Sequence, residues 1–186
     1  VGDNRFVASW FDSNNSVGSE IYGRIIDGSG ESISADLQFN STALYNQQAP
    51  EVVGLKDGNF AVVWQSDTDG TETYDIIARL FDREGDAITD EIIINEITLG
   101  EQTKPSIATS SSDEIVIAWQ TNETGVNEVL YQTLDFDGRL KSGNKKLSID
   151  DNGDFVGGED VTLTTLEDGH IVAAWDDQTG NIYAKN

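Results

Sequence analysis

Four short apolar runs, each closed by a tryptophan, set the rhythm of this chain: Phe6–Trp10 (FVASW), Phe60–Trp64 (FAVVW), Ile115–Trp119 (IVIAW) and Ile171–Trp175 (IVAAW). The tryptophans stand 54, 55 and 56 residues apart. In the second run the large residues Phe60, Val62 and Trp64 alternate with the smaller-faced Ala61 and Val63. The period is two and both phases are apolar, so each run predicts a strand buried on both faces. Turn residues precede three of them, at Lys56-Asp57-Gly58-Asn59, Ser112-Asp113-Glu114 and Glu167-Asp168-Gly169.

A second strand recurs after each tryptophan, at Ile21–Asp27, Ile76–Asp82, Leu130–Asp135 and Ile182–Lys185; the first three run into a D-x-x-G turn. A weaker third strand follows at Leu37–Asn40, Ile92–Asn95 and Lys146–Ile149. A fourth is predicted at Glu51–Leu55 and Ser106–Thr109, with Asp160–Leu166 as its later counterpart. Pro50 and Pro105 then sit at strand starts, where a missing N–H is tolerated. The chain therefore reads as all-β, built from antiparallel four-stranded repeats of about 55 residues and no helix. Such a period predicts a β-propeller or part of one, with a tryptophan between neighbouring blades. A β-sandwich is the alternative, because a sequence period does not set curvature.

The repeats divide one domain at approximately 1–49, 50–104, 105–158 and 159–186. The chain opens on a Trp strand and ends on a Tyr strand, about three and a half blades. Either four blades close imperfectly, or the missing strands come from the rest of a larger protein or from a second copy in a dimer. Val1 at the start and the absence of Met fit a trimmed fragment.

Composition narrows the partners. With 186 residues, 37% apolar and four Trp, the chain can bury a sizeable core. Its 34 acidic residues against 11 basic give a net charge of -23, which disfavours nucleic acid and anionic lipid and favours cations. Solubility in a salty medium is the plainer use of that charge. No run is long enough to span a membrane, and no basic-then-apolar leader is present. Cysteine is absent, so disulfide and thiol chemistry are excluded.

The runs Phe60–Gly70 (FAVVWQSDTDG) and Ile76–Asp86 (IIARLFDREGD), a strand ending on Asn and the start Pro105–Ala108 (PSIA) resemble tandem repeats of very large secreted bacterial proteins, the adhesins and hemolysin-type (RTX) calcium-binding proteins. The resemblance covers nearly the whole chain and is strongest over Glu51–Asn95. It implies an extracellular, cell-surface, calcium-associated module with an adhesive or architectural role, flanked by neighbouring domains of the same protein. The glycine-rich nonapeptide calcium repeats of that family are absent.

Candidate calcium ligands lie in the acidic loops. After Trp64, Asp67, Asp69, Thr71 and Asp75 alternate around a glycine and can converge oxygens on a hard cation, which takes six to eight. Asp12 and Asn14 occupy the matching place after Trp10, whereas the loop after Trp119 has no aspartate. Asp150, Asn152 and Asp154 open like a helix-flanked calcium loop, but Phe155 stands where glycine is needed and Val161 where glutamate is. The competing account is that Asp and Gly make good turns. His170 is the sole histidine and reads as structural; no Ser/His/Asp set or phosphate loop is present, and no enzyme is expected. Arg139, Lys141, Lys145 and Lys146 form the basic cluster. Tyr22, Tyr74, Tyr131 and Phe11 are candidate sugar platforms, which keeps a carbohydrate- or protein-recognition module, working through its loop face, as the alternative function.

Overall fold

The structure, a computed structural model, describes residues 4–15, 18–41, 45–150 and 152–186, with 14 and 15 described by backbone alone. The period-two runs form strands, and the strands form four antiparallel groups. The first holds β1 (Phe6–Asn15), β2 (Gly18–Ile26) and β3 (Leu37–Gln38). The second holds β4 (Tyr45–Gly54), β5 (Phe60–Asp67), β6 (Tyr74–Phe81) and β7 (Ile92–Ile93). The third holds β8 (Gln102–Thr109), β9 (Glu114–Thr121), β10 (Glu128–Asp135) and β11 (Lys145–Lys146). The fourth holds β12 (Glu159–Thr165), β13 (Ile171–Asp176) and β14 (Ile182–Lys185). A short parallel pairing of Gly18 and Ser19 with Tyr45 and Asn46 joins the first two groups into one sheet. β8 packs between β4 and β12, so the groups meet along these three strands as blades meet around an axis. The fold is all-β and propeller-like, built from repeated antiparallel blades, with four strands in the second and third and three in the first and fourth among the described residues.

The two apolar phases of each Trp strand serve two different interfaces. Phe60, Val62 and Trp64 pack against Ile21 and Phe39 of the first blade. Ala61 and Val63 turn the other way and pack with Ile107, Ile117 and Trp119 of the third. Ala118 in turn meets Val161, Ala173 and Trp175 of the fourth. Large residues face the preceding blade and small ones the following blade. The wedge shape that sets blades around an axis is thus written into each strand.

Two boundaries differ from the sequence expectation. Pro50 and Pro105 lie inside β4 and β8, because the pairing register slips between Gln48 and Glu51, and again between Thr103 and Ser106. A bulge excuses a residue from the ladder, which is what a proline needs. The third strands shrink to two residues, and the asparagine that follows acts through its side chain: Asn40 Oδ1 accepts the Ile21 amide at 2.9 Å and Asn95 Oδ1 that of Ile76 at 2.7 Å. In the third blade Ser148 Oγ takes the Val129 amide at 3.1 Å.

The D-x-x-G turns share one geometry. Asp135 Oδ1 accepts the amides of Asp137 (3.0 Å) and Arg139 (2.9 Å), while its carbonyl takes Gly138 N–H at 3.0 Å. Gly138 has φ 81°, and a Cβ there would lie 2.9 Å from Ile92 Cδ1 of the preceding blade, so the turn requires glycine twice over. Asp27 and Asp150 repeat the pattern, and Asp177 repeats its side-chain bonds. These bonds favour the charged form. The Ser29 hydroxyl lowers the carboxyl pKa of Asp27, the backbone amides of Arg139 and Asp154 lower those of Asp135 and Asp150, and the Asn181 amide holds Asp177 well below the ordinary range. A carboxyl depressed in the folded state contributes stability that is present above its unfolded pKa and lost as pH falls through the folded one. The melting temperature is therefore expected to fall on acidification below about pH 4. Melts of the Asp27→Asn and Asp135→Asn double variant should show a smaller fall across that window; an unchanged acid limb would refute the assignment.

Candidate functional site

The conserved geometry of the blades ends in a departure at the axis. The Trp strands of the second and third blades carry a hydrogen-bond relay. Trp64 Nε1 donates to Gln47 Oε1 of its own inner strand at 3.0 Å, and Trp119 Nε1 donates to Gln102 Oε1 at 2.9 Å. The glutamine after each of these two tryptophans reaches the next blade: Gln65 Oε1 accepts the Lys104 amide (3.0 Å) and Gln120 Oε1 that of Asp160 (3.5 Å). Lys104 and Asp160, with Ala49, occupy the same bulge position of β8, β12 and β4. All three are non-glycine residues at positive φ, 53°, 50° and 50°. Left-handed backbone is costly for such residues and persists only where the surroundings impose it, a frequent mark of functional sites.

At these bulges the three inner strands open a cavity of about 410 Å³. Pro50, Pro105 and Val161 form part of its wall, and Ser106 and Thr162 contribute hydroxyls. Its charged groups are Glu51 from β4, Lys104 from β8 and Asp160 from β12. Lys104 Nζ is ion-paired with Asp160 Oδ1. Glu51 is an exposed residue whose carboxyl is partly desolvated by the protein around it, and that desolvation raises its pKa above the ordinary value. Two carboxylates in different surroundings, separated by the strand that carries Lys104, are suited to bind polyols and to handle protons.

None of these three residues is among the candidates read from the sequence. The available signal was the recurring X-Pro step, Ala49-Pro50 and Lys104-Pro105, which reads locally as a strand start. Only the packed blades bring the third copy, Asp160-Val161, beside the other two.

The predicted calcium ligands lie elsewhere. Asp67 ends β5 and is buried; its Oδ1 accepts the Gly70 amide at 2.7 Å and its Oδ2 that of Glu72 at 3.3 Å. Asp69 accepts the Thr71 hydroxyl at 2.6 Å, and Asp75 bonds Thr68 and Asn95. Asp12 lies within β1, paired with Glu20, and the Asn14 side chain falls outside the described residues. Asp150, Asn152 and Asp154 form the shared D-x-x-G turn, with both later amides on Asp150 Oδ1. Among the described residues no three His, Cys, Asp or Glu are grouped as a metal site requires. His170 Nδ1 lies 3.0 Å from Asp168 Oδ2 on the surface, and the basic cluster is distributed over Asp137, Glu114 and Glu128.

No protein-family model matches the sequence, and no curated protein sequence matches it. Solved structures do match the fold. An endo-arabinase from Bacteroides thetaiotaomicron aligns with a TM-score of 0.61 and 12% identity, over 98% of this chain and 70% of that one. An α-L-arabinofuranosidase from Fusarium graminearum aligns at 0.65 and 11%, over 97% and 55%. A sialidase from Streptococcus pneumoniae aligns at 0.62 and 16%, over 95% and 26%. This chain spans 62% of the first-ranked match, a thermostable family-43 glycoside hydrolase, so it covers only part of such proteins. These identities establish a shared fold. They overturn the expected kinship with RTX proteins and adhesins, and with it the reading as an adhesive or architectural calcium-binding module. The exclusion of an enzyme falls as well, since the endo-arabinase, the arabinofuranosidase and the sialidase that share the fold are enzymes. The misreading has a physical cause: the Trp strand and its D-x-D-G loop are what any blade of this kind needs to pack and turn, so they identify the architecture and not the activity.

Proposed function

We propose that the chain is the carbohydrate-processing propeller of a larger, secreted protein, and that it cleaves a glycosidic bond in the axial cavity. The observation that carries this reading is that Glu51, Lys104 and Asp160, from three inner strands, line one cavity beside the strained bulges at Ala49, Lys104 and Asp160. In this reading Glu51, its pKa raised by partial desolvation, donates a proton to the departing glycosidic oxygen as the bond to the anomeric carbon breaks. Water adds to that carbon and gives its proton to the Asp160 carboxylate, so one water is consumed and two sugar ends are released. Lys104 holds Asp160 in place, and Ser106 and Thr162 offer hydroxyls to the substrate. The surface charge of -23 supports a neutral rather than an acidic glycan.

The test is release of new reducing ends from a panel of neutral polysaccharides, arabinan among them. Lys104→Ala should lower the rate about tenfold to a hundredfold by freeing the Asp160 side chain, with little change in melting temperature, because exposed ion pairs contribute roughly 0–1 kcal/mol. Equal rates for the two proteins would remove Lys104 and Asp160 from the reaction.

A further inference from the structure

The fourth blade breaks the relay that the second and third maintain. Where Gln47 and Gln102 stand, its inner strand is preceded by Gly157-Gly158. Trp175 Nε1 is left buried with no hydrogen-bond partner among the described residues. A side chain cannot be restored at the second glycine, since a Cβ on Gly158 would lie 2.7 Å from Val129 Cγ2. Beside this break lies an open cleft of about 440 Å³ between the third and fourth blades, lined in part by Gly157.

The cleft's chemistry differs from that of the axis. Phe155 is 47% exposed on one side. Tyr183 lines it too, its ring stacked on Trp175 at 5.8 Å and 15°, which fixes the ring plane. The Tyr183 hydroxyl donates to Asp177 Oδ2 at 3.2 Å. Asn127 and Gln178 supply two amides, both bonded to Glu159 Oε1. Rigid aromatic faces meet the C–H face of a sugar, whose hydrogens carry partial positive charge, while amides and carboxylates answer its hydroxyls. Glu159 is followed directly by Asp160, so successive residues of β12 serve the cleft and the axial cavity.

We infer that this cleft is a second carbohydrate-binding site, taking a neutral oligosaccharide stacked on Phe155 and Tyr183 and hydrogen-bonded by Asn127, Gln178 and Asp177. It shares the glycan reading of the axial cavity but none of its residues. Calorimetric titration of the full chain with short arabino- and cello-oligosaccharides tests it, with melts to confirm folding. Phe155→Ala should weaken binding about tenfold, and Gln178→Ala, an exposed change that spares the core, should weaken it in the same direction. Lys104→Ala should leave this binding intact. No binding by the unmodified chain would overturn the inference. So would binding that Lys104→Ala removes while both cleft variants retain it, which would place the sugar at the axis alone. An inactive axial cavity with intact cleft binding would instead strike down the hydrolytic reading and leave this one standing.

Discussion

Replacing Trp64 by alanine is expected to cost about 3–5 kcal/mol of stability, the range for deleting a large buried aromatic. Trp64 is fully buried between the first and second blades, and Phe60, Phe39 and Phe81 pack in the same cluster. Three aromatic rings hold that cluster together: Phe60 stacks on Phe81 at 5.2 Å, with Phe39 tilted against both. A domain of this size is typically stable by about 5–15 kcal/mol, so the loss consumes much of the margin. The substitution also removes the Trp64 Nε1 donor from Gln47 Oε1. Gln47→Ala keeps the Trp64 ring and removes the acceptor of Trp64 Nε1; about 1–3 kcal/mol is expected for the unpaired buried donor. Urea unfolding of both variants measures these losses. A Gln47→Ala protein as stable as the parent would mean that this relay contributes nothing, as Trp175 of the fourth blade, without a partner among the described residues, already shows a blade can tolerate.

The second large effect falls on activity. Glu51→Gln keeps the shape of the side chain and removes its proton, so hydrolysis of the responsive polysaccharide should fall by about 10²–10⁴-fold, the usual contribution of a positioned acid. Binding should persist, since the amide still donates and accepts hydrogen bonds. The pH profile supplies the discriminating sign. Partial desolvation raises the Glu51 carboxyl pKa, so the protonated acid survives to higher pH than an ordinary glutamate would, and the alkaline limb of the wild-type profile should lie correspondingly high. The residual activity of the variant should lose that limb. A rate unchanged by the substitution would exclude Glu51 as the acid, whatever the fold.

The axial residues illustrate why function was hard to read along the chain. Asp67, Asp69 and Asp75 stand out in a linear scan because they are close together in sequence. Their oxygens meet backbone amides, hydroxyls and Asn95. Asp150 was singled out for the spacing of Asp150, Asn152 and Asp154, yet it makes the same turn as Asp135. Local carboxylate spacing cannot distinguish a turn from a ligand set, because both begin with an oxygen presented to nearby positive groups.

What the sequence determined by itself is the blade: a two-faced Trp strand, a following strand with its D-x-x-G turn, and the asparagine that caps it. These follow from periodicity and turn chemistry, which act within a few residues, and the period of the tryptophans follows from stacking identical units. The tertiary structure alone decided the site. Ala49, Lys104 and Asp160 are 55 and 56 residues apart, and they become neighbours only when blade packing turns three equivalent bulges toward one axis. Blade curvature, set by large residues facing back and small ones facing forward across three interfaces, is a property of the assembled sheets.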